Sequence, residues 1–393
     1  MHINFPCLCI IVRHDPNNPL EDKPMSENER RILKRDPQPH LLRPITFRGV
    51  TSRNRIMLSP MCQYSAQDGV PDDWHLVHLG SRAVGGAGIV FTEATHIEPA
   101  GRISPHCLGL WNGEQEQAFA RIAQFIEKQG AVPGIQLGHA GRKASTCPPW
   151  DGAKPLPPED GGWETIGPSA LAFAQGFRPP REMSIGDIAQ LTQKMVDSAT
   201  RARRAGFKII EVHAAHGYLL HQFMSPLSNL RNDEYGGSFE NRIRLLRETL
   251  AAIRTEWPDD LPLFLRISVT DWVEGGWDVD QSVKLARILK ADGHVDLIDC
   301  SSGGNDPRQK ISIYPGYQLR LSETVRKDAG IATGAVGLLH SPDLCEQVLA
   351  NGQADLVILG RTLMAEPYWP LHAAKRLRAN VDWPLQYERS DIF

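Results

Sequence analysis

Lys208-Ile-Ile-Glu-Val-His-Ala-Ala-His-Gly-Tyr218 decides how this chain folds and where its chemistry sits. The apolar run Lys208 to His213 has the length and composition of a buried strand, and Gly217 breaks the pattern. The strand ends by delivering His213, His216 and Tyr218 within six residues. Two imidazoles three residues apart and a phenol form a cluster of neutral donors. A phenol, with a reference pKa of about 10, gives up a proton only to a strongly basic centre. Such a cluster suits gripping a carbonyl oxygen and protonating a carbanion better than it suits peptide hydrolysis.

The same unit recurs on both sides. Apolar runs at 55–60, 88–92, 132–137, 263–268, 295–300, 330–334 and 355–359 join 208–212 to make eight strand candidates. Helical periodicity fills the gaps near 115–129, 184–205, 240–256, 279–292, 318–329, 341–350 and 367–379. Ser184 with Asp187 three residues on reads as an N-cap. Gly236 to Arg242 reads as a helix entry. Eight strands alternating with helices predict one (β/α)₈ barrel over residues 41–393, with extended loops; an open doubly wound sheet fits the count less well. Residues 147–180, rich in Pro, Gly and Trp, form an insertion too irregular for a helix, of the kind that often serves as a lid.

Net charge is −3 with both signs scattered, so no basic stripe points to nucleic acid. No apolar run approaches the roughly 20 residues that cross a bilayer. The seven cysteines include no C-x-x-C pair, which argues for a reducing compartment and places the protein in the cytoplasm. Residues 1–40 read as a mobile extension. The apolar patch Phe5 to Val12 has neither the basic start nor the cleavage site of a secretory signal, and Met25 offers a second start.

In a barrel the site is built from the C-terminal ends of the strands. Thr333-Gly-Ala-Val-Gly337 and Gly360-Arg361 follow the last two strands, where barrels bind phosphate through bare N–H groups; glycine allows close approach and arginine supplies a fork. Gly334, Gly337, Gly360 and Arg361 are therefore phosphate candidates. Arg266, on an apolar strand, either forms an internal ion pair or faces an anionic cofactor. Gln136 is either a satisfied core amide or a partner for the edge of a heterocycle. Cys62, just past the first strand, is either an inert thiol or a cofactor contact, and Tyr64 shares its side. His213 and His216 also admit a zinc reading with Glu93 or Asp299 as third ligand, although no Glu sits inside the pair as general base. Arg142 and Lys143 receive no role.

Six motifs carry a resemblance: Ser59-Pro-Met-Cys-Gln-Tyr64, Gly134-Ile-Gln-Leu-Gly-His-Ala-Gly-Arg-Lys143, His213-Ala-Ala-His-Gly-Tyr-Leu219, Ser228-Asn-Leu-Arg-Asn-Asp-Glu-Tyr-Gly-Gly-Ser238, Ala332-Thr-Gly-Ala-Val-Gly337 and Gln386-Tyr-Glu-Arg389. From about Leu42 to Arg389 the chain resembles the old yellow enzyme family of flavin-dependent ene-reductases, in its thermophilic-like subclass of NADPH dehydrogenases and xenobiotic reductases. The resemblance implies non-covalent FMN at the strand ends, reduced by NADPH or NADH. Ser59, Pro60, Met61 and Cys62 would line the flavin with Ala94; Gln136 would reach its pyrimidine edge, and Arg266 its N1–C2 region. Gly334, Gly337, Gly360 and Arg361 would hold the phosphate.

The resemblance assigns His213 and His216 to the substrate carbonyl oxygen, with help from Tyr64, and makes Tyr218 the proton donor in ping-pong reduction of activated alkenes such as enones. It also implies a homodimer or homotetramer in which Arg389 enters a neighbour's site. The tail beyond Arg389, residues 1–40 and the length of 147–163 depart from the family pattern. The rival readings are a related flavin-dependent dienoyl reductase, which would carry a cysteine-rich iron–sulfur segment, and a metal-dependent barrel hydrolase using His213 and His216.

Overall fold

The computed structural model describes residues 38–390. A hairpin of β1 (Ile45–Phe47) and β2 (Val50–Ser52) leads into β3 (Ile56–Leu58), β4 (Ile89–His96) and β5 (Val132–Gly138). The insertion contributes only the two-residue pair β6 (Ile166–Gly167) and β7 (Arg181–Glu182). Next come β8 (Ile209–Ala214), β9 (Leu263–Ser268), β10 (Leu297–Ser301), β11 (Thr333–Ala335) and β12 (Leu356–Leu359). The strands β3, β4, β5, β8, β9, β10, β11 and β12 close in that order into one parallel barrel. All eight are the expected strands. They were legible because parallel strands buried on both faces read as continuous apolar runs.

The barrel's N-terminal end is plugged by its own aromatic side chains. Phe264 meets Phe47 of the hairpin edge-on at 5.0 Å and stacks on Phe91 at 6.2 Å. Gly134 is bare because a Cβ there would come within 2.7 Å of the Phe91 ring. The interior is thus filled from below, and the opposite end is left for polar side chains.

The helix Ile185–Arg204 begins at Ser184 as expected. The Ser184 hydroxyl accepts from the Asp187 N–H at 3.1 Å, and Asp187 accepts from the Ser184 N–H at 2.7 Å. Ser238 caps Phe239–Arg242, after which the chain kinks into Arg244–Glu256. Two short helices, Leu219–Met224 and Arg361–Ala365, and one long one were not foreseen; the long one is Asp73–Val84, between β3 and β4. Gly80 interrupts its helical pattern, and the reason is packing, since a Cβ at Gly80 would lie 2.8 Å from the Phe125 ring. The insertion folds as turns at Pro149–Asp151 and Pro158–Asp160, without an α-helix. The extension expected at 1–40 lies outside the described residues as far as position 37. His40 and Leu41 donate their N–H groups to the Glu346 carboxylate at 2.9 and 2.8 Å. No helix among the described residues is long and apolar enough to cross a membrane.

Candidate active site

Two adjoining cavities open at the C-terminal end of the barrel. One, of about 260 Å³, is lined by Ser59 to Cys62, Ala94, Gln136, His213, His216, Tyr218, Arg266, Gly360 and Arg361. The other, of about 180 Å³, shares Arg266, Gly360 and Arg361 and adds Tyr317, Gln318, Gly337, Leu338 and Leu339. These residues come from all eight barrel strands or the loops after them, so the parallel register alone assembles them.

Each functional side chain is fixed from behind. The His213 and His216 rings stand 5.2 Å apart, and His213 and Tyr218 stand 5.0 Å apart, all edge to face. The His213 Nδ1 accepts from the Ala215 N–H at 3.3 Å, which leaves Nε2–H as a donor on a neutral ring. His216 engages the Ser301 hydroxyl through Nε2 at 2.7 Å. Burial, then the charge of Arg266, pushes both imidazoles well below the usual histidine range. Burial pushes the Tyr218 phenol well up. The site therefore holds neutral donors at neutral pH.

His216 has a φ of +58°, a strained conformation for a residue with a side chain. It is clamped there: Lys143 Nζ donates to the carbonyls of His216 and Gly304, each at 2.8 Å. A Cβ at Gly304 would lie 2.7 Å from the His216 backbone, and one at Gly217 would lie 2.3 Å from the Gly304 oxygen. The histidine loop and the 303–305 loop touch so closely that only glycines fit. Lys143, given no role from sequence, is thus a strut of the site, and burial pushes its ammonium down to about 7.

The base of the cavity is polar. Arg266 Nη1 donates to the Ser59 hydroxyl at 3.2 Å, and its Nε lies 3.1 Å from Asp299 Oδ2. Gln136 Nε2 donates to Glu211 Oε1 at 2.7 Å. Gln136 and Arg266 thus have the internal partners of one reading, and both also line the cavity. A hydrogen bond to the Cys107 thiol, then burial, pushes the Cys62 thiol well up, so it stays protonated.

Three expected residues stand apart. Gly334 does not line the cavity; its bare Cα accommodates Ile358, whose Cδ1 would be 2.4 Å from a Cβ. Tyr64 packs, like Cys62 and Tyr218, against the buried cluster of Ile103, Cys107, Ala140 and Ala144, and meets Trp150 of the insertion edge-on at 5.6 Å. Arg389 lies in the exposed turn Leu385–Ser390. Sequence reasoning also missed Tyr317 and Gln318, in the loop after β10, and Leu338 and Leu339, just past the glycine motif after β11, all of which line the second cavity.

With this geometry in view, residues 40–380 match the NADH:flavin oxidoreductase / NADH oxidase family. The chain belongs to that family. An NADPH dehydrogenase of Geobacillus sp. (strain WCH70) is 48% identical over 351 residues, spanning 89% of this chain and 98% of that one. The NADPH dehydrogenase of Bacillus subtilis (strain 168) is 43% identical over 351 residues, with the same coverage of 89% and 98%. Among solved structures, morphinone reductase superposes with a TM-score of 0.72 at 26% identity, covering 88% of this chain and 92% of that chain. This old yellow enzyme relative is an NAD(P)H oxidoreductase that uses non-covalent FMN. The metal-dependent hydrolase reading of His213 and His216 falls with that membership.

The residues present fit FMN. Gly337 has a φ of +132°, and a Cβ there would press on Tyr317 and Gln318 at 3.2 Å, so the backbone is left bare beside Arg361 for a phosphate. Arg266 is 6% exposed and lines the cavity, with Asp299 as its ion-pair partner. A buried cation there suits a ring system that gains negative charge on reduction.

A buried pair holds the histidine loop from below. The Gly217 N–H donates to His221 Nδ1 at 2.9 Å, and His221 Nε2 lies 2.9 Å from Asp271 Oδ1. The other Asp271 oxygen accepts from Ser225 at 2.6 Å and from the Trp277 N–H at 2.9 Å. Burial alone would push the Asp271 carboxyl up, but His221 and these donors outweigh it and hold it below the usual range. A depressed folded pKa contributes stability that is complete above the unfolded value of about 3.9 and fades as pH falls towards the folded one. Asp271→Asn should therefore flatten the acid side of the stability–pH curve, measured by urea denaturation between neutrality and pH 3. An unchanged acid slope would exclude Asp271 as its source.

Proposed function

We propose that the protein is an ene-reductase: it reduces the C=C bond of alkenes activated by a carbonyl, such as enones and maleimides, at the expense of NADPH. The observation that carries this reading is the gathering of two neutral imidazoles and a protonated phenol over a cavity based on Gln136 and Arg266. FMN bound there would supply the hydride exchange between nicotinamide and alkene. His213 and His216 donate hydrogen bonds to the substrate oxygen. These bonds draw electron density from the β-carbon and strengthen as charge collects on that oxygen. Tyr218 delivers its hydroxyl proton to the α-carbon. Both substrates use one cavity in turn, so the kinetics are ping-pong.

Cys62 places a weak thiol donor beside the ring, and Ser59 holds Arg266. Tyr64, leaning on Trp150, lets the insertion set how large a substrate fits. Gly337, Gly360 and Arg361 hold the phosphate. In the oligomer, Arg389 reaches a neighbouring subunit's cavity; the open Leu385 (80% exposed) and half-covered Tyr387 beside it give that turn an apolar surface to bury.

The deciding experiment is anaerobic. Protein bleached by one equivalent of NADPH should regain its yellow colour on addition of cyclohex-2-enone, with cyclohexanone as product. Reoxidation by a quinone but not by enones or maleimides would leave a flavin-dependent NADPH dehydrogenase and remove the alkene assignment.

A further inference from the structure

Beneath the imidazoles lies a polar layer that the reaction just described does not consume. It contains Glu211 on β8 and Asp299 on β10, both fully buried, with Arg266 on β9 and Gln136 on β5. Strand register sets Gln136 beside Glu211 and Arg266 beside Asp299. Arg266 lies against Asp299 at 3.1 Å, whereas Glu211 receives only the neutral amide of Gln136 at 2.7 Å. Glu211 Oε2 and both Asp299 oxygens have no hydrogen-bond partner, so Asp299 is held by the charge of the guanidinium beside it.

The surrounding strands add no second cation to this level. Above Glu211 on its own strand stands His213, and β4 brings His96; burial keeps both neutral. The buried carboxylate of β4, Glu93, turns out of the barrel to His75 at 3.3 Å. From β3 and the residue after it come Met57 and Ser59, from β11 Gly334, and from β12 Ile358. Two carboxylates therefore face one guanidinium, and an unpaired buried anion is strongly disfavoured.

We propose that Glu211 is a positioning residue in its neutral, protonated form, fixing the Gln136 amide against the pyrimidine edge of FMN and leaving Asp299 as the single counter-ion of Arg266. Asp299 keeps its charge because it touches the guanidinium; Glu211 takes the proton because it touches only an amide. Its unpartnered Oε2 is the natural place for that proton. Burial, then repulsion from Asp299, pushes the Glu211 carboxyl up, while Arg266 and Gln136 oppose the shift. An ionised Glu211 would set a second anion beneath a cofactor that becomes more negative on reduction. Reduction therefore raises the affinity of Glu211 for its proton, and over the pH range in which it titrates each electron pair brings in extra proton uptake.

The test is equilibrium redox titration of the FMN-loaded protein against reference dyes across pH, with absorbance confirming bound flavin at each point. It involves no alkene, so its failure and that of the ene-reductase assignment are separate. The wild-type potential–pH line should steepen on the alkaline side by up to one additional proton per electron pair. Glu211→Gln, the neutral isostere, should keep the neutral-pH potential and give a line without that steepening. A wild-type line free of the extra steepening throughout the folded range overturns the proposal, and this arm needs no variant. So does a Glu211→Gln protein that retains the steepening, or one whose neutral-pH potential falls clearly below the wild-type value.

Discussion

Tyr218→Phe should slow reoxidation of the NADPH-reduced protein by an enone by roughly 10²- to 10⁴-fold, the usual contribution of a positioned general acid. Reduction by NADPH should stay within about 2-fold, since hydride arrival from the nicotinamide needs no proton at Tyr218. The asymmetry follows from the site. The phenol is held protonated by burial, edge-on to His213, at the cavity wall. Removing one oxygen leaves that ring contact and the neutral imidazoles in place, so substrate still binds and polarises. Only the proton source is lost. Anaerobic stopped-flow absorbance at the flavin band measures the two half-reactions separately. Equal losses in both would show that Tyr218 shapes the cavity and does not supply the proton.

How far the sequence revealed this site depends on which residue is asked about. The barrel strands were plain, because Leu263-Phe-Leu-Arg-Ile-Ser268 and its counterparts are apolar on both faces and end in polar letters. His213, His216 and Tyr218 were plain for the same reason: strand and site are one stretch. The helix Asp73–Val84 was hidden because Gly80 answers to the Phe125 ring, a contact 45 positions away. Gly334 could be mistaken for a phosphate contact because a glycine bare for Ile358 and a glycine bare for a ligand look alike in a sequence. Glu211 and Asp299 were visible as isolated acids inside apolar strands. Their meaning depends on register, which pairs one with an amide and the other with a guanidinium. Lys143 depends on the carbonyls of two loops, separated from it by 73 and 161 positions, and nothing local announces it.

Arg266→Met should have the largest effect on the protein as a whole, because that one guanidinium serves both the fold and the cofactor. It contacts Asp299 at 3.1 Å and Ser59 at 3.2 Å in a fully buried setting. Breaking a buried pair by deleting one partner typically costs about 3–5 kcal/mol, since the remaining charge is left uncompensated. The pH dependence identifies the cause. Burial pushes the Asp299 carboxyl up, against the pull of Arg266; without the guanidinium the shift grows. A carboxyl whose folded pKa is raised contributes its stability in full below the unfolded value of about 3.9 and loses it as pH rises towards the folded one. The variant should therefore be less destabilised near pH 5 than near pH 8, as read from urea denaturation of the two FMN-free proteins. It should also retain little or no FMN through purification at neutral pH. Equal destabilisation at both pH values would place the cost in lost packing, and wild-type FMN retention would remove Arg266 from the cofactor site.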